Sequence, residues 1–141
     1  MNRPDFDTCT LQEAADYCVK KIVEQGGPCH NGNWCKYYRE KPDGEHRCVL
    51  GWAMPLKMAQ ENLEFAIHEM FEAEIERLPA VVRNNQRVWY LLQAFHDQAF
   101  NPNAYPELRN NDMLVELDKA GLDVNGDHWR QWEAIRQKAI A

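Results

Sequence analysis

The sequence predicts an α+β protein that is mostly helical, with four or five helices packed around one two-stranded antiparallel β-hairpin. Two observations predict this fold class. Apolar residues recur at helical spacing along most of the 141-residue chain, and a Pro-Asp-Gly turn at residues 42–44 separates two short runs of strand-forming residues. An isolated hairpin is stable only when its apolar face is covered, so we expect helices to pack over it. With 45% hydrophobic residues, residues 1–141 are expected to form a single domain.

The first helix is predicted at about residues 11–25. Thr10 and Glu13 have the spacing of a capping box, in which each side chain accepts a hydrogen bond from the other residue's backbone amide. Apolar residues then follow at helical intervals, and two glycines after residue 25 can adopt the left-handed conformation that ends a helix. Residues 26–33 are dense in Gly, Pro and Asn and are predicted to form a loop.

Residues 34–52 are predicted to form the hairpin. Proline suits the first central position of its turn, and Gly44 can take the positive φ required at the following bulge. We expect Lys41 to pair with Glu45, which assigns alternate side chains to opposite faces. The expected core face carries Trp34, Tyr38, Cys48, Leu50 and Trp52. The expected outer face carries Cys35, Tyr37, Arg39, Arg47 and Val49. The cysteines at 35 and 48 then point to opposite faces, whereas a slip of one residue would bring them together.

The remainder of the chain is predicted to be helical. Four further helices are expected after Pro55, at about residues 63–75, 82–99, 108–121 and 127–139. Proline ends the first of these helices, and the Asn- and Pro-rich residues 101–106 interrupt the pattern after the second. The helices therefore outnumber the strands.

Charge and apolar patterning favour some partners and locations over others. A net charge of −6 makes general nucleic-acid binding unlikely, because such domains normally carry a basic excess. No apolar run approaches the ~20 residues of a membrane span, so no membrane partner is expected. The polar first ten residues lack the apolar core of a secretion signal, which predicts a cytoplasmic protein. In that reducing compartment the five cysteines are expected to be free thiols.

Two separated motifs support a family resemblance. The first has the form C-x-Y-x-R, then PDG, then C-x-x-G, and comprises Cys35, Tyr37, Arg39, Pro42, Asp43, Gly44, Cys48 and Gly51. The second comprises Leu92, Gln93, His96 and Asp97, followed by Leu117 and the "AGL" at 120–122. In this order they resemble a family of small uncharacterised phage and prophage proteins. The chain departs from that family at residues 54–57, where it reads Met-Pro-Leu-Lys in place of an Ile-Pro-Asp-Glu-like segment.

The resemblance implies a phage-associated accessory protein that works in the host cytoplasm, and it carries no established activity. We expect a non-catalytic protein that binds a host or phage macromolecule, such as an inhibitor of host defence, with a protein as the partner. The sequence indicates no oligomeric state. The outer hairpin face is the predicted binding surface, because tyrosine and arginine are enriched where interfaces gain most of their energy. Its residues are Tyr37, Arg39 and Arg47, bordered by His30 and Asn31.

Zinc is the alternative cofactor hypothesis, although no cofactor is expected. Its ligands would be Cys29, Cys35, His46 and Cys48. Structural zinc sites usually present paired ligands two to four residues apart, and these cysteines are spaced more widely. The cysteines are more simply explained as small core residues.

A small hydrolase centred on His96 is the alternative function. One version pairs a cysteine nucleophile, Cys35 or Cys48, with His96 or His46. Another adds His68 and Asp118 to His96 and Asp97 as ligands of a divalent metal. Adjacent helical residues project about 100° apart, so Asp97 is not expected to orient the His96 ring, whereas Gln93 lies one turn away. The pattern favours a structural role for His96, so an enzyme is the less favoured hypothesis.

Overall fold

The structure is a computed structural model that describes residues 2–32 and 34–140. These residues form eight α-helices and two separate two-stranded antiparallel hairpins, which confirms the mostly helical α+β class. The helices are α1 (Leu11–Glu24), α2 (Val49–Ala53), α3 (Leu56–Glu61), α4 (Ile67–Ala73), α5 (Ala80–Arg83), α6 (Gln86–Gln98), α7 (Met113–Lys119) and α8 (Asp127–Ile140). The strands are β1 (His30–Asn31), β2 (Trp34–Cys35), β3 (Arg39–Lys41) and β4 (Gly44–His46). Short 3₁₀ turns lie at Ile75–Arg77 and Pro106–Leu108.

Helix α1 begins and ends as the sequence predicts. The Glu13 amide donates to the Thr10 hydroxyl, and the Thr10 amide donates to the Glu13 carboxylate, both at 3.1 Å. Gly26 and Gly27, with φ of +92° and +143°, follow the last turn. Local sequence chemistry therefore determines where the helix begins and where it ends.

The single long hairpin predicted at residues 34–52 is wrong. β1 pairs with β2 and β3 pairs with β4, while the residues after Cys48 form helix α2. Cys48 caps that helix, because its Sγ accepts the Gly51 amide at 3.3 Å. Between β2 and β3, the Asn62 side chain accepts from the Tyr38 amide at 2.9 Å and donates to the Tyr38 carbonyl at 2.6 Å. These bonds satisfy the backbone of Tyr38 outside any ladder.

The register of the β3–β4 hairpin differs by one residue from the prediction. Lys41 pairs with Gly44 rather than with Glu45, so the turn has two central residues. Gly44 has the predicted positive φ, at +125°.

The predicted faces of the hairpin are wrong at four positions. Trp34, expected in the core, is 78% exposed, whereas Tyr37, Arg47 and Val49, expected outside, are buried. Alternation holds only within a continuous ladder, and the chain leaves the ladder after Cys35. The buried positions predicted for Cys48, Leu50 and Trp52 are confirmed.

Two predicted helices differ from the structure next to asparagine residues, since one begins later than predicted and the other is divided. Asn62 adopts the left-handed conformation at φ 48°, and residues 62–66 are not helical, so α4 begins only at Ile67. The predicted helix at about residues 82–99 is divided into α5 and α6 at residues 84–85. The last predicted helix is present as α8.

Helix α6 lies at the centre of the core. It packs against α2, α4, α5, α7 and α8, and α1 packs against α2 and α8. The largest apolar side chains of this core include Trp89, Phe95, Trp129 and Trp132, all fully buried. Among the described residues, none of the helices combines the length and the apolar character needed to cross a membrane.

Replacing Gly44 with valine is expected to destabilise the protein by about 1 to 2 kcal/mol, because a β-branched residue is strained at positive φ. Lys41→Ala changes the exposed partner in the same pair and is expected to cost less than about 0.5 kcal/mol. Urea denaturation of both variants measures the difference, and equal stabilities would contradict the role of Gly44.

Candidate functional site

A cleft of about 460 Å³ opens between the β1–β2 hairpin and the non-helical residues 62–66. We call it the Trp34 cleft. It is lined by Asn31, by residues 34–36, by residues 62–66 and Glu69, and by Asp97 and Tyr105. Its walls thus come from segments that are distant in sequence, and its lining combines aromatic, aliphatic and charged side chains.

Residues 62–66 are anchored along their length. The Asn62 side chain bonds both backbone groups of Tyr38, and the Tyr37 hydroxyl donates to the Phe65 carbonyl at 2.6 Å. The Ala66 amide donates to the Glu69 carboxylate at 3.1 Å at the start of α4. This wall of the cleft is therefore preformed rather than a loose loop.

Cys35, His96 and Asp97 meet at the cleft, which Cys35 and Asp97 line, with one potential ligand atom from each within 4.8 Å of the others. Gln93 joins this cluster. Its amide Nε2 donates to Cys35 Sγ at 3.1 Å and to Asp97 Oδ1 at 2.9 Å, while its Oε1 accepts the Leu50 amide at 3.0 Å. Gln93 thereby links the cluster to the beginning of α2.

Both ring nitrogens of the buried His96 have partners. The Cys29 amide donates to Nε2 at 3.1 Å, so Nδ1 carries the proton and donates to Asp97 Oδ1 at 2.9 Å. The expectation that Asp97 would not orient the ring is wrong, because the carboxylate reaches back to the adjacent residue. Nε2, the ring nitrogen without a proton, already accepts from the Cys29 amide, so it is not free to accept a proton from a thiol.

The cluster does not fit a metal ion. The Gln93 amide nitrogen lies 3.1 Å from Cys35 Sγ, 2.9 Å from Asp97 Oδ1 and 3.4 Å from His96 Nδ1, so it stands where a cation would have to bind. Its orientation is set by the Leu50 amide, which requires the oxygen of Gln93 on the opposite side. An amide donor and a metal ion cannot share this position.

The two predicted ligand sets are not assembled within the part of the chain that the structure describes. The cluster of possible ligands there contains neither His46 nor Cys48, and His46 instead contacts Asp43 at 3.2 Å. His68 and Asp118, proposed with His96 for a phosphohydrolase, are both exposed and lie outside the cluster.

The surroundings of Cys35 and Cys29 raise the pKa of both thiols. The pKa of Cys35 is raised well above its ordinary value by a hydrogen bond with the Cys48 thiol and by burial, with the Asp97 carboxylate adding to the effect. Burial raises the pKa of Cys29 to about 12. A nucleophilic cysteine needs a lowered pKa, so Cys35 has the opposite environment.

The predicted binding residues are not grouped on one exposed face. Tyr37 is 3% exposed and holds the wall of the cleft. Arg47 is 7% exposed, contacts the Trp52 ring with 4.6 Å between guanidinium carbon and ring centroid, and pairs with Glu45 at 3.0 Å. These two side chains serve packing and are not available to a partner.

Of the other three predicted binding residues, Asn31 lines the cleft, whereas Arg39 and His30 do not. Arg39 is half-buried and donates to the His30 carbonyl. The His30 ring stacks on Phe100 with centroids 4.5 Å apart. Asn31 is exposed and lines the Trp34 cleft.

The sequence did not predict that Trp34 is exposed or that residues 62–66 form a wall of the Trp34 cleft. One signal was present: Leu63 and Phe65 alternate with polar residues, which is the period of an extended segment rather than of a helix. The exposure of Trp34 had no such local signal.

No family model, curated protein or solved structure matches this chain.

Proposed function

We propose that this chain is a non-catalytic accessory protein of the phage type that binds a protein partner of the host or phage, and that the Trp34 cleft is the docking site. We propose that it inhibits a host defence protein in the cytoplasm. The phage affiliation is supported by the two motifs at residues 35–51 and 92–97. The position of the binding site is supported by the cleft.

The observation that carries this proposal is the exposure of Trp34. Among the described residues, the large hydrophobic side chains classed as exposed are Trp34 at 78%, Leu56 at 47% and Val115 at 46%. Tryptophan is the residue type most enriched at energetic centres of interfaces, because it offers a large rigid surface at low entropic cost. Trp34 lies at the edge of a concave site, where a partner side chain can be enclosed.

The dimensions of the cleft fit this role. Its volume of about 460 Å³ lies within the range of specific ligand sites, roughly 300 to 1,000 Å³. Leu63, Phe65 and Tyr105 supply half-buried apolar surface, while Asn31 and Lys36 supply polar groups near the rim. A preformed site of this kind loses little conformational entropy when a partner binds.

The hydrolase centred on His96 has one observation in its favour, the grouping of Cys35, His96 and Asp97. We do not propose it, because the cysteine pKa is raised and both histidine nitrogens are engaged. A hydrolytic activity lost in Cys35→Ser, with partner binding unchanged, would reverse this choice.

Trp34→Ala is expected to weaken partner binding by at least about 2 kcal/mol, roughly thirtyfold, without a loss of stability. Val115→Ala is the matched control, because it also truncates an exposed hydrophobic residue but lies on α7, away from the cleft. Proteins that co-purify with the wild-type chain and with the control, but not with Trp34→Ala, are identified by mass spectrometry. Calorimetry with the purified partner then gives the affinities. Equal affinity of all three chains would contradict the proposed docking site.

A further inference from the structure

We infer that the Trp34 cleft receives an arginine side chain of the partner, with the guanidinium bound at Asp97 and flanked by the Trp34 ring. This inference rests on the proposed function, since it specifies the chemistry of the partner at the same site. Three features of the described residues carry it: the charge of the cleft, the free oxygen of Asp97 and the position of the aromatic surface.

The lining of the cleft has an excess of negative charge. Glu64, Glu69 and Asp97 contribute three carboxylates, and Lys36 contributes one ammonium group. Within the described parts of the chain, no salt bridge connects Lys36 to these carboxylates. A cationic group is therefore the electrostatic complement of the cleft.

Asp97 presents a partly desolvated acceptor to this space. Its side chain is 14% exposed, and its contacts with Gln93 and His96 both use Oδ1. Oδ2 has no donor among the residues that the structure describes. Because Oδ1 is held by two donors, the carboxylate is fixed in orientation before a ligand arrives, and the second oxygen can accept a charge-assisted hydrogen bond.

A guanidinium suits these surroundings better than an ammonium ion. It is planar and more weakly hydrated, so less free energy is lost when it enters a half-enclosed site. It also stacks on aromatic faces, which Trp34 and Tyr105 provide in the same lining. An ammonium ion would have to give up a tightly held hydration shell for one carboxylate oxygen.

The test uses N-acetyl-arginine methylamide, with the lysine and citrulline analogues as comparisons. Citrulline keeps the shape of arginine but has no charge. The protein is labelled with nitrogen-15 and titrated while the indole N–H of Trp34 and the backbone amides of Cys35 and Asp97 are followed by NMR. We expect the arginine probe to shift these signals and to bind at least about tenfold more tightly than citrulline, with lysine in between.

Asp97→Asn keeps an oxygen that can accept from Gln93 and His96 but removes the charge, and it is expected to reduce arginine binding about tenfold. Glu72→Gln is the control, because Glu72 is an exposed carboxylate on α4 outside the cleft lining. Equal binding of arginine and citrulline, or of lysine and arginine, would overturn the inference, as would unchanged binding in Asp97→Asn. If these occur while Trp34→Ala still loses the partner, the docking site stands and only the arginine is rejected.

Discussion

Replacing Arg136 with leucine is expected to destabilise the protein by about 3 to 5 kcal/mol, because a buried ionic group holds several acceptors that leucine cannot satisfy. Arg136 lies on α8 with none of its surface exposed. It donates to Gln98 Oε1 and to the Glu133 carboxylate, each at 2.8 Å. It also donates to three backbone carbonyls within residues 108–111 at 3.3 to 3.4 Å. The substitution removes a donor from all of these acceptors, and it leaves the buried Gln98 Oε1 without its hydrogen-bond partner.

Urea denaturation followed by circular dichroism measures this loss. Arg130→Leu is the matched control, because the same substitution is made on the same helix at a side chain that is 59% exposed. The control is expected to change stability by less than about 1 kcal/mol. A similar small change in Arg136→Leu would show that the buried hydrogen bonds of Arg136 contribute little to the net stability.

Gly51→Ala is expected to destabilise the protein by about 3 kcal/mol, even though the added group is only a methyl. A Cβ at this position would fall well inside the van der Waals distance of the Tyr37 carbonyl oxygen, and it would lie 3.0 Å from the Tyr37 carbonyl carbon and 3.1 Å from Arg47 Cβ. The obstacle is backbone, so it cannot rotate away. Helix α2 and residues 36–38, which connect β2 to β3, must move apart. This movement also disturbs the hydrogen bond between the Tyr37 hydroxyl and the Phe65 carbonyl.

Gly26→Ala serves as the control for Gly51→Ala. A methyl group there meets no atom within 4 Å, and the cost is limited to the positive φ of +92°, about 1 kcal/mol. Thermal unfolding of both variants gives the comparison. If Gly51→Ala is no less stable than Gly26→Ala, the close contact between α2 and the Tyr37 carbonyl is contradicted.

The close approach at Gly51 gives a physical meaning to part of the hairpin motif. In the spacing C-x-x-G, Cys48 caps α2 through the Gly51 amide, and the glycine admits the Tyr37 carbonyl. Tyr37 then holds the wall of the Trp34 cleft through Phe65. Tyr37, predicted from sequence as part of the hairpin surface, acts instead with Cys48 and Gly51 in packing that shapes the cleft.

The sequence by itself determined the features that depend on neighbouring residues. The capping box of Thr10 and Glu13 and the positive φ of Gly44 were predicted, because each involves groups within a few residues of one another. The mostly helical α+β class followed from apolar periodicity in the same way. The grouping of Cys35, His96 and Asp97 was only one of several combinations that the sequence left open.

The tertiary structure alone decided which faces are covered and which groups meet. Trp34 is exposed and Tyr37 buried because the chain leaves its strand and Asn62, 24 residues after Tyr38, takes over the backbone hydrogen bonds. The Gln93 amide fills the centre of the cluster because the beginning of α2 fixes its orientation. Such contacts join segments that are far apart in sequence, and local propensity and spacing carry no information about them.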